Sequence, residues 1–118
     1  MQNIKKNDEH YNRITIPTGN AYEIININDI IRCEAEDHYT NFILSNNRKF
    51  LVSTGLKYYE DLLPSGQFVR VHHHHLVNIN QVVRYLKVDG GYAIMSAGSQ
   101  VEISRRKKDA FLQRLQNI

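Results

Sequence analysis

Clusters of turn-forming residues recur along this chain at short intervals, and they leave room for little except β-strands. Thr18-Gly19-Asn20, Glu36-Asp37-His38, Ser45-Asn46-Asn47, Asp89-Gly90-Gly91 and Ala97-Gly98 bound apolar segments of strand length. Gly and Asn tolerate the positive φ of tight turns, and Asp89-Gly90-Gly91 is a strong hairpin signal. Between the clusters hydrophobicity alternates, as in a half-buried strand. Strands are predicted at 12–17, 21–27, 30–35, 39–44, 49–52, 68–72, 82–88, 92–95 and 100–103, with Leu76–Asn80 leading into the strand at Val82. In Tyr39–Leu44 the alternation puts Tyr39, Asn41 and Ile43 on one face and Thr40, Phe42 and Leu44 on the other.

The period changes twice. Ser53 or Thr54 is positioned to cap a short helix reaching about Leu63, with Leu56, Tyr59, Leu62 and Leu63 on one stripe and Pro64 ending it. Ser104 is positioned to cap a basic helix over Arg105–Gln116, whose Ala110, Phe111 and Leu115 dock on the sheet. The chain of 118 residues is long enough for one real core and too short for two ordinary domains. The expectation is a mostly β domain over 12–118, with one short central helix and one C-terminal helix, after a flexible tail at 1–11.

Several function classes are disfavoured. No apolar run approaches the ~20 residues that span a bilayer, so membrane insertion is not expected. Met1 to Asn12 is polar and mixed in charge, unlike a secretory signal. The lone Cys33 excludes an internal disulfide framework and fits a cytoplasmic location. An enzyme is not expected: Cys33 lies inside an apolar strand, no serine has a nucleophile-elbow context, and Gly90-Gly91 opens a hairpin rather than a phosphate-binding helix.

The four consecutive histidines His72–His75 invite a metal reading. Alternation along a strand lets at most two of the four converge, and no partner stands at a recognised ligand spacing. The reading preferred is two structural imidazoles and one or two exposed ones that offer donors to phosphate or base edges. No metal and no cofactor is expected.

The net charge of +3 is localised. Residues 1–100 hold ten Lys/Arg and ten Asp/Glu, so they are neutral. Residues 101–118 hold Arg105, Arg106, Lys107, Lys108 and Arg114 against Glu102 and Asp109, which is the whole surplus. Cations at the first turn of a helix oppose the macrodipole and cost a few tenths of a kcal/mol each. An arriving phosphate reverses that sign, because backbone N–H groups and basic side chains then meet one anion.

The ordered string 30–40 (IIRCEAEDHYT), then Leu51–Lys57 (LVSTGLK), Phe68–His72 (FVRVH), Leu76–Asn78 (LVN) and Val101–Arg106 (VEISRR) resembles the LytTR DNA-binding domain over about residues 12–117. The resemblance implies an elongated, antiparallel β-sandwich-like fold. It implies a transcription regulator, commonly the output domain of a two-component response regulator, that reads direct-repeat promoter elements in double-stranded DNA through loops in successive major grooves. It places contacts in the loop Asp37–Asn41, at Tyr39, Thr40 and Asn41 above all. Further contacts fall at His73 and His74 and at Arg105, followed by Arg106 and Lys107. In this reading Lys57, Arg106, Lys107 and Lys108 hold phosphates, while Asn41, His73 and Arg105 read bases.

Positions 73 and 74 depart from the family pattern, which often has Arg, Lys or Asn followed by Ser. An ordinary imidazole (pKa about 6.5) is mostly neutral at pH 7 and grips phosphate less than a guanidinium does. No receiver domain precedes the motif set, so the expectation is a one-domain regulator or part of a longer system. A monomer in solution with two copies on DNA fits direct-repeat sites. The alternative is a protein-interaction module acting on a separately encoded sensor kinase or membrane partner, supported by the neutrality of residues 1–100.

Overall fold

The computed structural model describes residues 12–116; the predicted tail at 1–11 lies outside the described residues. A hairpin of β1 (Arg13–Thr18) and β2 (Ala21–Asn26) is followed by β3 (Ile30–Glu36), β4 (Tyr39–Leu44) and β5 (Lys49–Val52). Helix α1 (Leu56–Leu62) precedes β6 (Phe68–His72) and β7 (His75–Asn78). Then come β8 (Val82–Leu86), β9 (Tyr92–Met95), β10 (Gln100–Glu102) and the C-terminal helix α2 (Lys108–Gln116). All strand pairs are antiparallel. The central sheet has the order β5-β4-β3-β7-β6, and β8–β10 form a separate three-stranded sheet. The extents of 42 × 33 × 25 Å agree with the elongated, sandwich-like architecture expected.

The central sheet is covered on both faces. One face sends Cys33, Phe42, Leu76 and Phe68 against the β1–β2 hairpin and against Leu56, Tyr59 and Leu63. On the other, Ile31, Val71 and Val77 pack on Ala93, Met95 and Val101 of the second sheet and on Phe111 of α2. Two bulges make this possible. The register shifts between Ile30 and Arg32 and between Arg70 and His72. An extra residue lets neighbours share a face, so Ile31 turns to the second core while Ile30 and Cys33 stay in the first, and His72 joins Val71 on the side of the second sheet.

Turn chemistry behaves as expected: Asn46, Asn47, Asp89, Gly90 and Gly91 all have positive φ. Several local expectations are corrected. Neither Ser53 nor Thr54 caps α1; Gly55 occupies the cap with no side-chain bond. Leu62 is 44% exposed, because a two-turn helix buries only Leu56 and Tyr59 along its length, and Leu63 completes the contact. The segment Leu76–Asn80 stops being a strand at Asn78, whose side chain accepts the Asn80 amide and starts a 3-10 turn. The basic segment is not one helix: Arg105–Lys107 form a 3-10 turn ahead of α2, and Ser104 makes no side-chain cap. In α2, Phe111 is buried and Leu115 packs beside it, whereas Ala110 is exposed.

Candidate nucleic-acid interface

Strand direction brings distant sequence segments to one end of the central sheet. The β3–β4 turn (Asp37, His38), the end of β5 with the start of α1, and the β6–β7 turn (His73, His74) all emerge there, because β3, β5 and β6 end where β4 and β7 begin. Asp37 has φ 55°, which makes the two-residue β3–β4 connection tight. The amide of Ala35 donates to the His74 carbonyl at 2.8 Å, binding the two turns together.

The four histidines are a hairpin and not a strand, which corrects the alternation argument. The turn stacks their rings, with centroids 5.6 Å apart for His72 and His74, 5.3 Å for His72 and His75, and 4.7 Å for His73 and His74. His72 accepts the His74 amide at Nδ1 (3.1 Å), and its Nε2 lies 3.7 Å from Glu102 Oε1. His75 is half-buried with Nδ1 unpartnered, and burial pushes its pKa down to about 4. His75 is therefore neutral at pH 7. His73 and His74 are exposed. Among the described residues, no three His, Cys, Asp or Glu side chains are grouped so as to hold a metal ion.

Two clefts flank the histidine turn, and His73 borders both. The first is lined by Asp37, His38, Thr54, Lys57, His73 and His74 among others. The Lys57 side chain is 74% exposed and pairs with Asp61 at 3.2 Å; such an exposed pair is worth little and is readily exchanged for a phosphate. The second cleft is lined by His72, His73, Ser104, Arg106 and Lys107, with Arg70 and Glu60 at its base. The 3-10 turn that carries its cations is fixed by the Ser104 amide, which donates to the Val71 carbonyl at 2.8 Å.

Lys57, His73, His74, Arg106 and Lys107 are therefore gathered along one rim. Thr40 is not among them: it is 0% exposed, and its hydroxyl donates to the Thr54 carbonyl at 2.7 Å. A side chain committed inside the fold offers nothing to a duplex. Tyr39 and Asn41 lie on the other face of β4, exposed and half-buried respectively. Asn41 belongs to a row across the sheet, opposite Glu34 on β3, which is itself opposite His75 on β7. Arg105 is exposed and Lys108 half-buried, and neither lines the clefts.

Two further residues of this rim, His38 and Arg70, lie inside the quoted motifs without being singled out there as contacts. His38 reads as one more polar turn residue, although its place at a hairpin tip between two apolar strands was the available signal. Arg70 reads as a strand residue inside Phe68–His72, and nothing local distinguishes it.

A β framework that gathers imidazoles, a lysine and a basic turn at one end defines a domain suited to holding a polyanion. The family model described as LytTr DNA-binding domain matches residues 20–116, and the chain belongs to that family of DNA-binding domains. Its fold matches a solved LytTr DNA-binding domain from Bacillus cereus with a TM-score of 0.76 at 22% identity, covering 88% of this chain and 96% of the other. The heme-containing CO-sensing transcriptional regulator RcoM 1 of Paraburkholderia xenovorans (strain LB400) is 26% identical over 98 residues, covering 80% of this chain and 36% of the relative. RcoM 2 of the same organism is 29% identical over 87 residues, covering 71% and 32%. The chain thus spans about a third of the length of these curated relatives. Among the described residues, no helix is long and apolar enough to cross a membrane.

Proposed function

We propose that this domain binds duplex DNA sequence-specifically to control transcription, with the rim at the end of the central sheet facing the grooves. His38, His73 and His74 project from hairpin tips toward base edges, where an imidazole N–H can donate. Lys57 on one side and Arg106 and Lys107 on the other hold phosphates and set the register. Arg105 and Lys108, on the same basic segment, extend the grip, and an arginine there can pair bidentately with guanine. Tyr39 and Asn41 bound the rim on the outer face of β4. Two copies on adjacent half-sites would account for direct-repeat recognition. The single observation that carries this reading is that His73 borders both cation-bearing clefts, so one groove-facing turn is flanked by phosphate grips.

The test is selection from a random-sequence duplex library, then anisotropy titrations of the enriched duplex over a salt series. If about four phosphates are neutralised, log affinity falls against log salt with a slope of about −3.6. Arg105→Ala is expected to erode preference for the enriched duplex, whereas Lys107→Ala weakens all duplexes alike. No enrichment together with salt-insensitive binding overturns the reading, in favour of a protein-interaction module.

A further inference from the structure

The guanidinium of Arg70, at this rim, points inward. Its side chain is 19% exposed, and all three nitrogens are engaged. Nη1 donates to Glu60 Oε1 on α1 at 2.7 Å, Nε to the His72 carbonyl at 2.9 Å, and Nη2 to the His73 carbonyl at 2.7 Å. The next carbonyl, that of His74, accepts the Ala35 amide. Three successive carbonyls of the histidine turn are therefore tied down, two by one planar fork and the third by the end of β3.

From this geometry we propose that Arg70, oriented by Glu60, is a positioning residue for sequence readout, holding the His73-His74 turn in the shape that presents its imidazoles. The proposal rests on the DNA-reading function above. A fixed fork meets two carbonyls and a carboxylate at once, which a lysine ammonium on a flexible stem does not reproduce. The bulge at Val71 is part of the device: Arg70 turns toward α1, while Val71 and His72 face the second sheet. A groove-reading turn without such a tie would have to be ordered at the moment of binding, which lowers the gain from correct base contacts.

Arg70 also borders both clefts, so a direct phosphate contact is the competing account, and the two differ in what they change. Arg70→Lys and Glu60→Gln would be compared with the unmodified protein for binding to the enriched duplex and to its scrambled counterpart, over a salt series. Amide exchange at His74 and Ala35 would be followed by NMR in the absence of DNA. For a positioning role, Arg70→Lys lowers the ratio of the two affinities about tenfold. It leaves the scrambled-duplex affinity and the salt slope unchanged and speeds exchange of the Ala35 amide. Glu60→Gln, which keeps an acceptor and is milder to the fold, gives a smaller change in the same direction, about threefold.

Arg70→Gln, which removes the charge, is measured on the same two duplexes; equal loss on both, with a salt slope shallower by about 0.9, identifies a phosphate contact and overturns the proposal. Unchanged discrimination and unchanged amide exchange in both Arg70→Lys and Glu60→Gln overturn it as well. If the unmodified protein itself fails to discriminate, the DNA-reading function is what fails; the exchange data then show separately whether Arg70 holds the turn.

Discussion

The Ala35 amide hydrogen-bonds to the His74 carbonyl at 2.8 Å, so the strand that ends in the His38 turn also anchors the His73-His74 turn. The two tips share one support. A groove-reading surface built from two loops needs such support, since base contacts reward only a pre-set spacing of donors.

His38 is exposed, and no side-chain hydrogen bond holds it within the fold among the described residues. His38→Ala is expected to weaken the enriched duplex about five- to tenfold while changing stability by less than about 0.5 kcal/mol. Anisotropy titration and urea unfolding of the same sample check both. A large loss of stability with unchanged binding would reassign His38 to the fold.

Thr40→Val keeps the shape of the side chain and removes the hydroxyl that serves the Thr54 carbonyl in a fully buried position. The expected cost is about 1–2 kcal/mol in urea unfolding, with affinity for DNA unchanged once the protein is folded. Loss of affinity at full folding would restore Thr40 as a contact.

His75 supplies a pH dependence of stability. Its folded pKa, about 4, lies below the ordinary imidazole value of about 6.5 because burial disfavours the cation. The unfolded chain therefore binds the extra proton between those values. The stabilising effect is whole above about pH 6.5 and is lost as the pH falls toward 4. Partial solvent access limits the loss to about 1–2 kcal/mol. Urea midpoints at pH 7.5 and 5.0 should differ less in His75→Phe than in the unmodified protein, and an equal difference in the two would contradict this account.

Gly91 has φ 108°, and a Cβ there would sit 2.8 Å from Cζ of Tyr85, inside the ring's van der Waals surface. Gly91→Ala combines left-handed strain with that overlap and is expected to cost about 2–4 kcal/mol. The Tyr85 ring packs near Phe111, with centroids 6.2 Å apart, so the damage spreads to the seat of α2. A thermal melt reads it directly, and an unchanged midpoint would mean that the β8–β9 turn relaxes freely.

Much of the fold was legible because its determinants are local. The strands over 13–18, 21–26, 39–44 and 92–95 lie within about a residue of where alternation and turn residues put them. The histidine run was misjudged for a physical reason. Imidazoles carry no turn signal comparable to Gly or Asn, so a two-residue hairpin at His73-His74 looks like continuing strand until β6 and β7 are paired. The Ser104 cap failed similarly: the basic turn takes its support from Val71, a residue more than thirty positions away. Of the contacts expected from motif, Lys57, His73, His74, Arg106 and Lys107 come together at the clefts, while Thr40 is buried away from them, on the inward face that its neighbours Phe42 and Leu44 already implied.

Sequence alone determined where most strands lie, which face of strands such as β4 is buried, that the excess charge is C-terminal, and to which family the motif order points. These follow from backbone sterics and side-chain periodicity, which act over a few residues. Only the tertiary structure decided that the turns after β3 and β6 share one end of a sheet, that a bulge in β3 divides Ile30 and Ile31 between two cores, and that Arg70 points inward to tie the histidine turn. Strand order and register are set by burying both faces of the central sheet at once, a condition that no short segment contains.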